Sequence, residues 1–324
     1  MKFSVSSRTH LITVTRPEVS AEYAHEVNPG SEVYTIDGLF GKVVSQEINT
    51  GVFSLLHDFY EIREKFSLQF RGEAPVLQIL VCAKGRLHFT IAGLGDIHLQ
   101  QGQFIILYVP AMDASVFFEL PAELLTFNLY LPVDVIQPFA EIFPIQPFIN
   151  EMAGNRPALL FQRPGWVTHE ILRSIAYLLA FHHNDAMRAY FFELKVKSLL
   201  VLFLHQKFYT GATPLTETTF ESVRWAQHII ESHVGAIPAL GEIAELVDID
   251  IHLLKEHFKT VVGIDMHIFL IQARLNNARL LLQETDLPIR EIAGIAGYSR
   301  PEDFTQAFKK QFDYTPMALR KRNI

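Results

Sequence analysis

The feature that most limits how this chain folds is a degenerate repeat close to its C-terminus. The stretch EIAELVDIDIHLLKEHFK begins at Glu242, and EIAGIAGYSRPEDFTQAFKK begins at Glu291. Ala244 aligns with Ala293 at an offset of 49 residues, and Phe258 with Phe308 at 50, so one extra residue falls just after the turn. Each copy reads as a short helix with a small inward Ala, a tight turn, then a longer helix. Gly297 stands in the second turn, where positive φ is tolerated or required.

Between the copies lies HIFLIQARLNNARLLLQET, whose Phe269, Ile271, Leu275, Ala278 and Leu282 keep helical spacing. One helix is predicted here, ending by Asp286, with Pro288 available to start the next. At 1.5 Å per residue, about 20 residues span roughly 30 Å, close to the ~34 Å turn of B-DNA. Paired helices joined by a tight turn make a helix-turn-helix unit, which presents its second helix to the major groove. A stiff spacer of this length suits two such helices to successive grooves on one DNA face.

The runs IAELV, LLKEHFKTVVG, IFLIQARLNNARLLLQETDLPIREIAGIAGYS and DFTQAFKKQFDYTPMALRKR, in this order, resemble the AraC/XylS signature from Leu240 to Arg322. The resemblance implies a DNA-binding domain joined to a sensing and dimerising domain. It also implies basic or amide residues on the outward face of the first recognition helix, often an Arg where Glu256 stands here. That family often has Gly at the position of Asp313, which predicts a locally altered loop before Thr315 and Pro316.

The N-terminal half has a different texture. From about residue 33 to 131, runs such as KVVSQEI, GVFSLLHDF, PVLQILVCA and FIILYV are punctuated by Gly or Pro, which predicts many short antiparallel strands in a barrel or jelly roll. Residues 132–164 carry six prolines and read as irregular connection. Helical spacing resumes after Gly165, through Ile171, Ile175 and Leu178, and again from about Ala186 to Phe208, with a break at Asn184 and Asp185. This predicts an α+β chain. A cupin-like antiparallel β-barrel (1–164) leads to a helical pair for dimerisation (165–209), a linker (210–219) and an all-α domain with two helix-turn-helix units (220–324). The cupin likeness comes from the order of elements in the family.

In the first recognition helix Leu254 and Phe258 read as core, leaving His252, Lys255, Glu256 and Lys259 outward. In the second, Phe304, Ala307 and Phe308 read as core, leaving Arg300, Glu302, Asp303, Gln306, Lys309 and Lys310. Gln306 suits a bidentate contact to adenine, whereas Arg300, Lys309 and Lys310 suit phosphates. Charge separates the copies. Glu221–Met266 holds three basic and eight acidic residues; Ile289–Ile324 holds seven basic and four acidic, within a net charge of −7. The second copy is the better electrostatic footprint.

Little else carries chemistry. His57, His88 and His98 are scattered, so neither metal nor cofactor is expected, and no catalytic motif is found. Cys82 reads as a small buried strand residue, and a lone thiol fits a reducing cytoplasm. Phe53, Phe66, Phe70, Phe89, Phe104, Phe117 and Phe118 fit plain core or the lining of a small-molecule pocket. No membrane helix or secretory signal is expected. The leading expectation is a cytoplasmic, dimeric transcription regulator that binds double-stranded DNA under a small-molecule effector and engages RNA polymerase. The alternatives are a regulator acting mainly through protein contacts and a cupin-type enzyme.

Overall fold

The computed structural model describes residues 4–6, 13–15, 31–118, 122–180, 186–208, 215–233 and 235–322. The chain divides into two compact units, Met1–Tyr209 and Thr210–Ile324.

The strands of the first unit are β1 (Ser4–Ser6), β2 (Thr13–Thr15), β3 (Glu32–Gly38), β4 (Gly41–Asn49), β5 (Ser54–Ile62), β6 (Phe66–Gly72) and β7 (Val76–Lys84). They continue with β8 (Arg86–Ile91), β9 (Gly95–Gln100), β10 (Gln103–Val109), β11 (Met112–Phe118), β12 (Ala122–Leu131), β13 (Ala158–Leu159) and β14 (Gly165–Trp166). Among the described residues they form two antiparallel sheets. One runs β1–β6–β11–β8–β9; the other runs β13–β10–β7–β12–β5–β4–β3–β2, with β14 also on β10. The sheets share one core, in which Leu68, Phe89 and Val116 of the smaller meet Val43, Tyr60 and Leu80 of the larger. They do not join by hydrogen bonds into a closed barrel, so the cupin-like part is an open one.

The central strands of the larger sheet are buried on both faces. Val76–Cys82 and Gln103–Val109 are continuously buried, as a central strand covered on two sides must be. What covers the second face is the helical pair, α2 (His169–Leu179) and α3 (Ala186–Phe208). Phe104, Phe127 and Leu129 share a core with Ile171, Phe192, Leu200 and Phe203. The helices set apart in the sequence as their own segment thus complete the sandwich core. Thr168 starts α2 by accepting a hydrogen bond from the Ile171 N–H at 3.3 Å. The break expected at Asn184 and Asp185 lies outside the described residues.

Two expectations for the connections are corrected. The stretch 132–164 holds a 3₁₀ turn at Gln137–Glu141 and helix α1 (Gln146–Ala153). Pro138 and Pro147 lie in their first turns, where a missing N–H costs nothing. The C-terminal unit starts its first helix, α4 (Glu217–Ser232), inside the expected linker, with Thr216 as its cap; 210–214 lie outside the described residues.

After α4 come α5 (Leu240–Leu246), α6 (Ile251–Val262), α7 (Met266–Glu284), α8 (Ile289–Ile295), α9 (Pro301–Phe312) and α10 (Pro316–Arg322). Helix α7 is the predicted spacer, and its 19 residues span roughly 28 Å. It touches α4, α6, α8, α9 and α10. A separate core gathers Leu275, Ala278 and Leu282 of α7 with Ile292, Ala293, Phe304 and Phe308. Phe308 is fully buried, and truncating such a residue to Ala costs about 3–5 kcal/mol. No helix among the described residues is long and apolar enough to cross a membrane.

Candidate nucleic-acid interface and internal cavity

The repeat is realised bond for bond. α5 and α8 begin 49 residues apart, α6 and α9 begin 50 apart. In the first turn the Ile249 N–H reaches back to the Ala244 carbonyl at 3.2 Å; in the second, the Tyr298 N–H reaches the Ala293 carbonyl at 2.9 Å. The residue bridged by each bond is left-handed: Asp248 at φ +52° and Gly297 at φ +82°. The recognition helices also end alike, Gly263 at φ +86° and Asp313 at φ +65° donating to the carbonyls of Lys259 and Lys309. The altered loop expected at Asp313 is not there, because Asp tolerates the left-handed region that Gly usually fills.

The helix starts differ. Asp250 caps α6, accepting from the His252 and Leu253 N–H groups at 2.8 and 3.2 Å. Those two bonds, the Leu253 one foremost, hold its carboxyl below the usual range. α9 has no side-chain cap; Pro301 sits in its first turn with Glu302 and Asp303.

Every outward residue assigned from sequence to the first copy, namely His252, Lys255, Glu256 and Lys259, is exposed. In the second copy Arg300, Glu302, Gln306, Lys309 and Lys310 are exposed, and Asp303 is half-buried. The structure joins two of these to each other: the Arg300 guanidinium forks onto the Asp303 carboxylate through two 2.8 Å hydrogen bonds. Lys255, Lys259, Lys309 and Lys310 form no ion pair with another described residue.

Sequence reasoning missed what holds the copies to the spacer. Arg274 of α7 donates to the Ile237 and Pro238 carbonyls at 2.8 and 3.2 Å, in the loop before α5. The same guanidinium lies against the second turn, where a Cβ on Gly297 would come within 2.7 Å of Nη1. Asn277 adds a 2.7 Å bond to the Gly235 carbonyl. One side chain thus touches both helix-turn-helix copies. The signal was an Arg and an Asn on the side of α7 facing its neighbours.

The first unit has a partly open cavity of about 660 Å³ between its two sheets. Of the seven phenylalanines weighed as lining, only Phe70 and Phe89 line it. Phe53 and Phe104 pack under the helices, and Phe66 and Phe118 fill the core between the sheets. Missed from sequence were the polar groups Ser45, Asp58, Gln78, Thr126 and Asn128, which line the larger sheet's wall. Asp58 is buried, and burial foremost pushes its carboxyl up to about 6, against hydrogen bonds from Ser45, Thr126 and Asn128 and with a smaller push from Glu47. Cys82 is buried on the same sheet, its thiol pushed up to about 12 by burial. His88 and His98 are cross-strand partners with stacked rings 4.2 Å apart, and Asp96 lies 3.2 Å from His88. Among the described residues, no three His, Cys, Asp or Glu side chains gather as metal ligands do.

A family model described as a helix-turn-helix domain matches residues 243–322. The xylose operon regulatory protein of Escherichia coli K12 is 32% identical over 112 residues, which are 35% of this chain and 29% of that protein. The transcriptional activator RhaS of Klebsiella pneumoniae is 25% identical over 201 residues, 61% of this chain and 69% of that one. A solved regulator with an AraC-type DNA-binding domain from Chromobacterium violaceum is 25% identical, over 33% of this chain and 96% of its own, at a TM-score of 0.30. The chain spans less than a third of the length of the xylose regulators it matches.

Proposed function

We propose that this chain is a sequence-specific, DNA-binding transcription regulator of the AraC/XylS type under the control of a small molecule, a reading supported by the helix-turn-helix match at residues 243–322 and by the likeness to the xylose regulator and RhaS. The observation that carries the reading is the doubled unit. Two copies with matching turns and matching left-handed ends hang on one spacer helix, and both recognition helices keep an exposed polar face. Lys309, Lys310 and Gln306 supply phosphate and base contacts from α9; His252, Lys255 and Lys259 supply fewer from the more acidic α6. Arg300 enters this set only after leaving Asp303. Glu302 and Asp303 sit at the α9 N-terminus, where the helix dipole favours them.

The effector occupies the cavity between the sheets, whose size suits a drug-sized ligand (about 300–1,000 Å³). The protein acts as a homodimer through α3, on which Tyr190, Leu194 and Val201 recur at helical spacing and remain 71, 68 and 38% exposed. It works in the cytoplasm as a regulator, not an enzyme, and contacts RNA polymerase at its promoters. Effector control requires unequal affinity for the two arrangements of the dimer.

The test is a gel shift with the gene's own upstream region across a salt series. A specific complex is expected, weakening steeply as salt rises. Equal affinity for unrelated duplexes at every salt concentration would remove the claim of sequence specificity.

A further inference from the structure

The two walls of the cavity differ in chemistry. The smaller sheet presents apolar Leu68, Phe89, Met112 and Val116. The larger presents a polar patch assembled by strand register, with Ser45 opposite Asp58 and Asp58 opposite Thr126. Hydrogen bonds in this patch run one way. Gln78 donates to Asn128 at 2.7 Å, Asn128 donates to Asp58 at 2.7 Å, and Thr126 and Ser45 donate to Asp58 as well. Ser54 and Asn49 donate to Glu47 at 2.6 and 3.3 Å. Ser45, Thr126, Asn128, Ser54 and Asn49 thus spend donors on the carboxylates Asp58 and Glu47, while the Tyr60 and Tyr130 hydroxyls also line the space.

Acceptors remain. A carboxylate offers about four lone-pair sites, and three described groups reach Asp58. Gln78, a side chain more than nine-tenths buried, lines the cavity, and its carbonyl oxygen takes no hydrogen bond from a described residue. Charge points the same way. Asp58, Glu47 and Glu32 line the space, and among its described lining residues there is no Lys, Arg or His. A buried carboxylate without a counter-charge is costly; an entering cation relieves that cost and an entering anion adds to it.

We propose that this cavity takes an amphiphilic cation, an organic ammonium or guanidinium set against Asp58 and Glu47, with its apolar body on the Leu68–Phe89–Val116 wall. The assignment deepens the effector reading above and rests on it only for the regulatory consequence. Carboxylates and phosphates of similar shape are excluded by the same wall.

Three matched probes test it on the full chain by titration calorimetry near neutral pH: 4-phenylbutylamine, 4-phenylbutanol and 4-phenylbutanoate. The amine is expected to bind about tenfold or more tighter than the alcohol, a difference of about 1.4 kcal/mol, and the carboxylate not measurably. Asp58→Asn should bring the amine within about threefold of the alcohol. Glu47→Gln, at a half-buried position, repeats the test should the first variant unfold on circular dichroism. Equal affinities, a preference for the carboxylate, or no amine binding by folded protein at about 10 mM overturns the proposal. A gel shift with the amine present separates the two readings. Tight, selective amine binding that leaves operator affinity unmoved defeats effector control and leaves the ligand class standing; a specific operator complex from a chain that rejects the amine does the reverse.

Discussion

The two helix-turn-helix copies reach the same backbone by different chemistry. The first uses acids at its joints: Glu242 accepts from the Ala239 N–H at 2.7 Å, Asp248 holds the left-handed turn, and Asp250 and Asp265 cap α6 and α7. The second uses Gly297 in the turn and Pro301 at the helix start. Half of the first copy's eight acidic residues are therefore structural, satisfied by backbone N–H groups or occupying a turn. Acidity by count overstates repulsion at its face. What still separates the copies is where free cations sit, with Lys309 and Lys310 on α9 adjacent, and Lys255 and Lys259 on α6 beside Glu256.

The largest expected effect breaks that asymmetry directly. Lys309→Glu with Lys310→Glu should lower operator affinity by about 100-fold or more at constant salt, because two phosphate-seeking charges are reversed. Lys255→Glu with Lys259→Glu should cost about tenfold on the same scale. Gel shifts on one duplex decide it; a greater loss from the α6 pair would invert the ranking of the copies.

Next comes the turn. Gly297→Ala forces a side chain into φ +82° with the Arg274 guanidinium 2.7 Å from its Cβ. Strain of about 2 kcal/mol is expected, read as a lower thermal midpoint of the C-terminal unit. Asp248→Ala, at the matching position, replaces a residue that is already not glycine and should cost less. Equal losses would mean that Arg274 does not distinguish the turns.

These contrasts show how far the sequence could be read. The repeat, its 49- and 50-residue offsets, the spacer and the outward residues were legible because helix spacing and turn chemistry are local signals. The strand region was legible from apolar runs punctuated by Gly and Pro. The polar wall of the cavity was not, although Gln78 inside VLQILVC and Asn128 inside TFNLYL are polar residues within buried strands. Which face each occupies depends on register across four strands, a non-local fact. Arg274 was hidden for the same reason, since its partners lie 36 and 37 residues away in sequence. Proline misled at 132–164, where it starts helical turns instead of breaking them.

A smaller effect concerns Arg300. Its fork on Asp303 is exposed, so the pair adds little to stability, yet it withholds a guanidinium from the footprint. Asp303→Asn should raise operator affinity by about threefold to tenfold and steepen the logarithmic salt slope by about one unit. An unchanged slope would show that Arg300 reaches no phosphate even when released, and the second copy's advantage would then rest on its lysines.

The smallest effect probes the shared backbone itself. Asp248 and Asp313 are both exposed and left-handed, and neither side chain takes part in a hydrogen bond within the described residues. A left-handed L-residue costs about 1–2 kcal/mol, less for Asp. Glycine removes that strain but returns about 0.5–1 kcal/mol through the freedom it gives the unfolded chain. The two terms nearly cancel, so Asp248→Gly or Asp313→Gly should stabilise the C-terminal unit by only about 0.5 kcal/mol, a rise of about 2 °C in its midpoint. Agreement between the two variants would mean that the copies differ in composition at these joints and not in strain. A clear gain at one position alone would show that the two copies, alike in φ, are held there by unequal forces.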